Sequence, residues 1–187
     1  MGELFKRIAS KFFHISQKKA SRQERELDAR VKCDKAHREY LHLQLRRALS
    51  KKGVDTSKRS IHLIDRLREK ADISNSKVLC IGCRSVDEIN YFKSVGAKEV
   101  LGIDLFSETE EIMLMDMHDM TFEDNSFDVI FSCHSLEHAR DYKEVVAEFV
   151  RVAKNGSIFV IEVPVNYETR GADLWDFKSV DNLKEIF

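Results

Sequence analysis

The chain has 187 residues, of which 43% are hydrophobic and 34% are charged, and its net charge at pH 7 is −1. This length and composition predict one soluble globular domain with an appendage, and no apolar stretch approaches the roughly 20 residues that a membrane-spanning helix needs. The charge is unevenly divided. Residues 1–60 contain 17 Lys or Arg and 7 Asp or Glu, a balance of +10, whereas the remainder contains 14 and 25, a balance of −11.

The first segment is basic and carries apolar residues at helical spacing, namely Leu4, Ile8, Phe12 and Ile15. The sequence is consistent with three alternative roles for such a helix. It can cover part of a hydrophobic core, which is the more common use, lie on an anionic membrane as a peripheral contact, or direct the chain to an organelle.

Residues 22–49 predict one or two charged helices, with an apolar stripe that includes Leu41, Leu45 and Leu49. Residues 51–60 predict a linker, and the next helix is expected to begin near Ile61. We therefore assign residues 1–59 to a basic helical N-terminal extension. Its basic charges are interleaved with acidic ones and it contains no recognised docking motif, so binding to nucleic acid is not expected.

Two strand and turn units follow, and each ends in a residue suited to binding a ligand. The first strand, Val78 to Ile81, ends at Gly82, and a helix from Asp87 to Val95 comes next. The second strand, Glu99 to Ile103, ends at Asp104, 22 residues beyond the glycine. This spacing is close to that of nucleotide-binding α/β folds, in which a carboxylate after the second strand holds ribose hydroxyls.

The C-terminal half continues the alternation of strands and helices. A strand is predicted from Glu111 to Met115, a strand buried on both faces from Phe127 to Cys133, and a helix from Asp141 to Ala153. The dipeptide Asn155-Gly156 predicts a turn into a last strand, Ser157 to Val163. The whole pattern predicts an α/β fold with a mainly parallel sheet.

The four cysteines, at positions 33, 80, 83 and 133, are few, and three of them fall at predicted strand positions. This favours a reducing compartment over a disulfide-stabilised secreted protein, so we predict a cytoplasmic location. Cys80 and Cys83 form a C-x-x-C motif. A redox or metal role for it would need a second ligand pair or a junction of the thioredoxin type, so no metal site is predicted.

The order of these motifs resembles that of class I S-adenosylmethionine-dependent methyltransferases of the type 11 branch. The resemblance rests on the strand ends at Gly82 and Asp104, on the segments FEDNSFDVIFS and SLEHA, and on a D-x-x-x-[LM]-x-F-x-D-x-[SC]-F-D signature from Asp116 to Asp128. It covers about residues 60–187, which we assign to the methyltransferase-like domain. It implies a Rossmann-like, doubly wound sheet.

The resemblance implies that S-adenosylmethionine is the cofactor. Asp104 would accept both ribose hydroxyls, and Leu105 would pack on the adenine. Asp116 would accept from the adenine amino group, while the backbone amide of Met117 contacts a ring nitrogen. The other implied cofactor contacts lie at the ends of the first and fourth strands: Gly82, Cys83, Arg84 and Ser132.

The loop after the first strand departs from the family pattern. The family usually has acid-x-Gly-x-Gly-x-Gly, and the corresponding residues here are Cys80, Gly82, Arg84 and Val86. Glycine lets a backbone approach a ligand closely with positive φ. Arg84 either obstructs that approach or holds the cofactor's carboxylate in a charge-assisted pair.

Two histidines after the fourth strand, His134 and His138, are the candidate general bases, since imidazole titrates near neutral pH. His134 is also a candidate substrate contact. Asp173, Trp175 and Asp176 are expected either to form a lid over the substrate or to pack their loop onto the sheet. The acidic character of this part of the chain favours a small-molecule acceptor over nucleic acid.

The end of the chain is short for this family, whose members normally add a helix and a pair of antiparallel strands after the fifth strand. Here residues 166–187 remain. Either the sheet has about five strands and lacks the final pair, or this sequence is a fragment of a longer protein. The last strand of a five-stranded sheet would have an open edge through which two copies of the chain could associate.

Two functions from different classes fit these features. The first is methyl transfer from S-adenosylmethionine to an unidentified, small-molecule acceptor by in-line displacement. The alternative is a catalytically silent methyltransferase-like protein that binds a ligand or acts as a scaffold. A nicotinamide-dependent oxidoreductase is disfavoured because the chain contains neither G-x-G-x-x-G nor Y-x-x-x-K.

Overall fold

The computed structural model describes residues 22–29, 31, 33–50, 57–83, 85–107, 109–169 and 173–187. The predicted amphipathic helix of residues 4–15, with its membrane and targeting roles, and the predicted cofactor residue Arg84 lie outside these ranges. The helices and strands of the described residues are α1 (22–29), α2 (Lys35–Ser50), α3 (Ser57–Arg68), β1 (Lys77–Ile81), α4 (Asp87–Ser94), β2 (Glu99–Asp104), β3 (Ile112–Leu114), β4 (Phe127–Cys133), a 3-10 helix (Leu136–His138), α5 (Tyr142–Val152), β5 (Ala153–Glu162) and α6 (Val180–Lys184).

The five strands form one sheet in the order β3-β2-β1-β4-β5, and every neighbouring pair is parallel. Leu79 in the centre of β1 lies opposite Leu101 on β2 and Ile130 on β4. The order reverses direction between β1 and β4, which is the topological switch point of a doubly wound sheet. The predicted Rossmann-like α/β fold is confirmed.

Helices cover both faces of this sheet, because the strand residues alternate between two hydrophobic clusters. Val78 and Cys80 pack with Ile64 of α3 and Phe92 of α4. Leu79 and Ile81 belong to the opposite cluster, which includes the apolar face of α5. Burial on both faces explains why the strands are almost continuously apolar.

Helix α5 shows how sequence sets local structure. Asp141 caps it by accepting a hydrogen bond from the backbone N–H of Lys143 at 2.9 Å. Val145, Phe149 and Val152 then recur at helical spacing and are fully buried against the sheet. Each such side chain contributes about 1.5–3 kcal/mol of burial free energy, so packing rather than helix propensity holds this element.

Most of the signature between Asp116 and Asp128 is structural. The Phe122 and Phe127 rings meet edge to face at 5.0 Å. The Asp128 carboxylate accepts from the backbone N–H of Lys77 and from Nζ of Lys154, both at 2.8 Å, and so joins the starts of β1 and β5. Unlike Phe122, Phe127 and Asp128, Asp116 lies at the carboxyl ends of the strands.

Two predicted boundaries are corrected. The last strand begins at Ala153 rather than Ser157, and the predicted turn Asn155-Gly156 is a bulge inside it, because β5 has four residues between its partners of Phe127 and Val129 while β4 has one. Gly156 has a φ of +80°, which the bulge requires. The predicted linker also ends early, because Ser57 already belongs to α3.

The described C-terminal residues pack on the α5 side of the sheet. Phe187 stacks on Phe149 at 6.5 Å and contacts Phe159 of β5 at 5.2 Å, between ring centroids. Helix α2 lies at the carboxyl ends of the strands, where Leu41 and Leu45 are buried against Phe106. Among the described helices, none has the length and hydrophobicity needed to cross a membrane.

Candidate functional site

A cavity opens at the carboxyl ends of the strands, the edge at which α/β sheets bind their ligands. Gly82 from the end of β1, Asp104 and Leu105 from the end of β2, and Asp116 and Met117 beyond β3 all line it. These five residues were predicted as cofactor contacts from widely separated positions. The structure brings them together around one space.

Gly82 lets the backbone form one wall of the cavity. Its φ is +71°, and a Cβ added there would overlap the Oγ of Ser135. That hydroxyl donates to the carbonyl of Ile81 at 3.0 Å, so it cannot easily move away. Both the backbone conformation and the available space therefore require glycine at this position.

Asp104 is partly oriented by its own turn. One carboxylate oxygen, Oδ1, accepts the backbone N–H of Phe106 at 3.1 Å. Phe106 is buried in the cluster beneath α2, so the turn is anchored. The half-buried carboxylate of Asp104 lies at the cavity, beside the predicted adenine contact Leu105.

Asp116 lies in a buried hydrogen-bonded triad with two histidines that the sequence did not single out. Its Oδ2 is 2.6 Å from Nε2 of His37, and its Oδ1 is 2.7 Å from Nδ1 of His118. Burial opposes ionisation of Asp116, but the hydrogen bonds from His118 and His37 outweigh it and hold the pKa of this carboxyl well below its usual range. Asp116 is therefore a carboxylate at neutral pH.

The ligand atoms of this triad lie within 4.8 Å of one another, which raises the question of a metal centre. Nε2 of His118 accepts the backbone N–H groups of Arg140 and Asp141 at 3.1 and 3.4 Å. A neutral His118 must then carry its proton on Nδ1, where it donates to Asp116. A metal would need the lone pair of that same nitrogen, so the triad is suited to hydrogen bonding rather than to metal binding.

Helix α2 supplies one wall of the cavity through Tyr40, Gln44 and Arg47. The Tyr40 hydroxyl donates to the carbonyl of His138 at 2.5 Å, and Nε2 of Gln44 donates to the same carbonyl at 3.3 Å. Arg47 pairs with Asp173 at 2.5 Å. The helix is thus tied to residues beyond β4 and beyond β5.

His134, a candidate base, lies between two carboxylates. Its Nδ1 is 3.0 Å from Glu137 and its Nε2 is 3.1 Å from Glu162. Only the imidazolium form can donate to both carboxylates at once. His134 is thus held between two carboxylates through both of its ring nitrogens.

His138, the other candidate base, has partners for both protonation states. Its Nδ1 lies 2.9 Å from Nη1 of Arg47, a donor, and 3.1 Å from Oδ1 of Asp173, an acceptor. Without a proton this nitrogen can accept from Arg47, and with one the imidazolium lies within ion-pair distance of the Asp173 carboxylate. Asp173 therefore contacts the candidate base directly, which the sequence did not reveal.

The remaining predicted site residues lie away from the cavity lining. Ser132 is fully buried inside β4. The serine that lines the cavity is Ser135 instead. Cys83 is buried and its Sγ donates to the carbonyl of Ile103. Trp175 donates to the carbonyl of Ala139 and packs on Tyr142, which favours loop packing over a substrate lid.

Asp176 is likewise a structural residue. It accepts the backbone N–H groups of Asn166 and Lys178 and so holds the loop after β5. Three residues were missed because they come from α2, far from any strand end in sequence: His37, Tyr40 and Arg47. His118 was also missed, although its position two residues after Asp116 is a signal that sequence could have offered.

The central part of this chain is similar in sequence to known proteins. A family model described as a methyltransferase domain matches residues 79–161. Ajmaline N-methyltransferase from Rauvolfia serpentina is 39% identical over 46 residues, which are 25% of this chain and only 16% of that protein. The chain thus spans a small part of this curated relative.

Two solved structures share the fold at 17% sequence identity, each with a TM-score of 0.53. One is a SAM-dependent methyltransferase from Aquifex aeolicus, for which the match covers 73% of this chain and 85% of that one. The other is the cyclase SpnF, with coverage of 67% and 56%. These two similarities show the fold, and the family match places the methyltransferase-domain pattern in residues 79–161, from β1 to β5.

Proposed function

We propose that this protein transfers a methyl group from S-adenosylmethionine to a small-molecule acceptor. The observation that carries the proposal is the convergence of Gly82, Asp104 and Asp116 on one cavity at the switch point of the sheet. A glycine that exposes backbone and two carboxylates at neighbouring strand ends suit a ligand with a ribose and an adenine.

The residues of the cavity fit this cofactor. Asp104 would accept the ribose hydroxyls, while Asp116 and the backbone amide of Met117 would bind the adenine edge. The backbone at Gly82, which lines the cavity, would lie along the methionine portion. When bound, the cofactor supplies a methyl group already activated by its sulfonium.

The protein's share of the chemistry is mainly positioning. In-line transfer needs the acceptor atom near the methyl group and aligned with it, and holding the two together supplies much of the rate acceleration. The α2 wall, held by Tyr40 and Arg47, covers the cavity and would exclude water from it.

An alcohol or phenol acceptor also needs a base. We assign that role to His138, because its Nδ1 has a donor in Arg47 and an acceptor in Asp173 and so tolerates a change of protonation. His134 is assigned to substrate positioning, since both of its ring nitrogens already face carboxylates.

A catalytically silent binding or scaffold protein is the second candidate. It is favoured by the loop after β1, where Arg84 and Val86 stand in place of two glycines. Fold alone does not decide between the two functions, because sites of different chemistry are built on the same scaffold. The cyclase SpnF shares this fold.

Calorimetric titration of the whole chain with S-adenosylmethionine, S-adenosylhomocysteine and NAD tests the proposal. We expect both sulfur-containing ligands to bind and NAD not to bind. Binding of NAD alone, or of none of the three to a cooperatively folded protein, would overturn it. Binding without release of S-adenosylhomocysteine in the presence of a broad panel of amines, phenols and carboxylic acids would favour the silent alternative.

A further inference from the structure

His37 has no part in the function described so far, yet it makes the shortest contact at Asp116. Its Nε2 lies 2.6 Å from Oδ2 of Asp116, and the two residues are 79 positions apart in the chain. Both side chains are more than nine-tenths buried, with exposed fractions of 8% and 3%. The His37 ring also packs edge-on against Tyr40 and His118, so its position is fixed.

The two oxygens of Asp116 differ in how much of their hydrogen-bonding capacity is in use. Oδ1 accepts the backbone N–H of His118 at 3.0 Å and the ring Nδ1 of the same residue at 2.7 Å. A carboxylate oxygen has about two acceptor positions, so Oδ1 is saturated. A donor that reaches Asp116 from the cavity is therefore directed to Oδ2, the oxygen that His37 already contacts.

We infer that His37 sets how strongly this protein selects the adenine of its cofactor, because His37 and the 6-amino group of adenine would both donate to Oδ2 of Asp116 and share its negative charge. The inference rests on the proposed function, in which Asp116 receives that amino group. Two donors on one oxygen each weaken the contribution of the other, so their effects on affinity are not additive. The 6-amino group therefore contributes less to binding in the wild-type protein than in a variant without the His37 donor.

The test compares two ligands across matched variants by calorimetry. The ligands are S-adenosylhomocysteine and its analogue in which hydrogen replaces the 6-amino group. His37→Phe keeps the aromatic packing and removes the donor, and His37→Leu serves as a second variant should the first not fold. We expect the ratio of the two dissociation constants to rise roughly fivefold or more in the donor-free variant.

Two controls separate the sharing of Oδ2 on Asp116 from a general loosening of α2. His37→Gln retains an N–H donor and should restore the wild-type ratio. His42→Phe is the matched control, because His42 is on the same helix and its Nε2 also contacts an aspartate, Asp28, at 2.9 Å, outside the cavity. This variant should keep the wild-type ratio as well.

An unchanged ratio in both donor-free variants, with S-adenosylhomocysteine still binding, would overturn the inference and leave the proposed function intact. The same rise in His42→Phe, or in His37→Gln, would also overturn it. If S-adenosylhomocysteine fails to bind the wild type and every variant that melts cooperatively, the proposed function is wrong and the inference falls with it.

Discussion

At the scale of single residues, Asp104 carries the most direct test of the cofactor site. Asp104→Ala removes the carboxylate proposed to accept the ribose hydroxyls. We expect S-adenosylmethionine to bind more weakly by about 1.5–3 kcal/mol, the range for hydrogen bonds to a charged group. Calorimetry on the folded variant measures the loss. Asp181→Ala, at the exposed start of α6, is the control that should bind normally.

Glu88 is a buried carboxyl whose ionisation should limit stability at high pH. Burial raises the pKa of Glu88 to about 8, although Ser60 donates a hydrogen bond to it. The folded protein thus holds this proton more tightly than the unfolded chain, whose ordinary value is 4.5. The resulting stability is complete below about pH 4.5 and is lost as the pH rises through 8.

Glu88→Gln removes this ionisation while keeping the shape of the side chain. We expect the variant to melt near the wild-type temperature at pH 5 and several degrees higher at pH 9. Thermal unfolding followed by circular dichroism at the two pH values measures the difference. The exposed Glu185→Gln is the control, and an equal gain at both pH values would contradict the assigned cause.

The positions of the strand-end residues were predictable from local order, because each is a glycine or an aspartate directly after an apolar run. Gly82, Asp104 and Asp116 are of this kind. His37 could not be predicted, because its partner lies 79 residues away and no periodicity links a helix face to a distant loop. The end of β4 at Cys133 was predicted correctly, yet the serine that lines the cavity is Ser135, beyond the strand, while Ser132 is buried within it.

At the scale of elements, Arg151 joins α5 to the loop before β4. Its guanidinium donates to the carbonyls of Met120 and Phe122 at 2.7 Å, to Asp124 at 2.8 Å and to both carboxylate oxygens of Glu148. This fork of donors binds two backbone carbonyls and two carboxylates of the loop and of α5 at once. Lysine cannot reproduce it, because an ammonium has no planar array of donors.

We therefore expect Arg151→Met to lower the free energy of unfolding by roughly 2–3 kcal/mol, with Arg151→Lys recovering only part of it. Urea unfolding gives both values. Arg66→Met is the control, since Arg66 forms an exposed pair with Glu69 on α3 that is worth little. Full recovery by lysine would show that charge alone, and not the fork of hydrogen bonds, secures the loop.

The helices were predictable as elements because their apolar residues recur at a helical period, as Val145 and Phe149 do. The start of β5 was not. Asn155-Gly156 is a strong turn signal, and the same residues satisfy a bulge, since both structures need a backbone with positive φ at glycine. Only the register between β4 and β5 distinguishes the two.

At the scale of the whole molecule, the sheet has β5 as an edge strand. Among the described residues its only strand partner is β4, and residues 157–162 are half-buried. An edge of this kind presents backbone donors and acceptors to another chain. We expect self-association through β5 in the low micromolar range or above, measured by sedimentation at several concentrations. A compact monomer at every concentration would contradict this prediction.

The doubly wound arrangement was implied by the resemblance, and the order of the strands was not predicted. Apolar runs such as Phe127–Cys133 predict a buried strand but not its neighbours. What sequence could not supply was the position of α2, because its amphipathic face fits a core, a membrane or another protein equally well. The polar contacts of Tyr40 and Arg47 decide the matter in the folded molecule.

Those contacts also constrain how the protein is made. Tyr40 finds its partner, the carbonyl of His138, 98 residues later in the chain. At about 5–20 residues per second, a ribosome needs roughly 5–20 s to synthesise that interval. During this time Leu41 and Leu45 have been synthesised, but part of the sheet edge that α2 covers has not. The apolar side of α2 therefore stays exposed to solvent until that edge is complete. Helix α2 is thus synthesised well before the partner that fixes it, and during that interval its apolar side is open to chaperones.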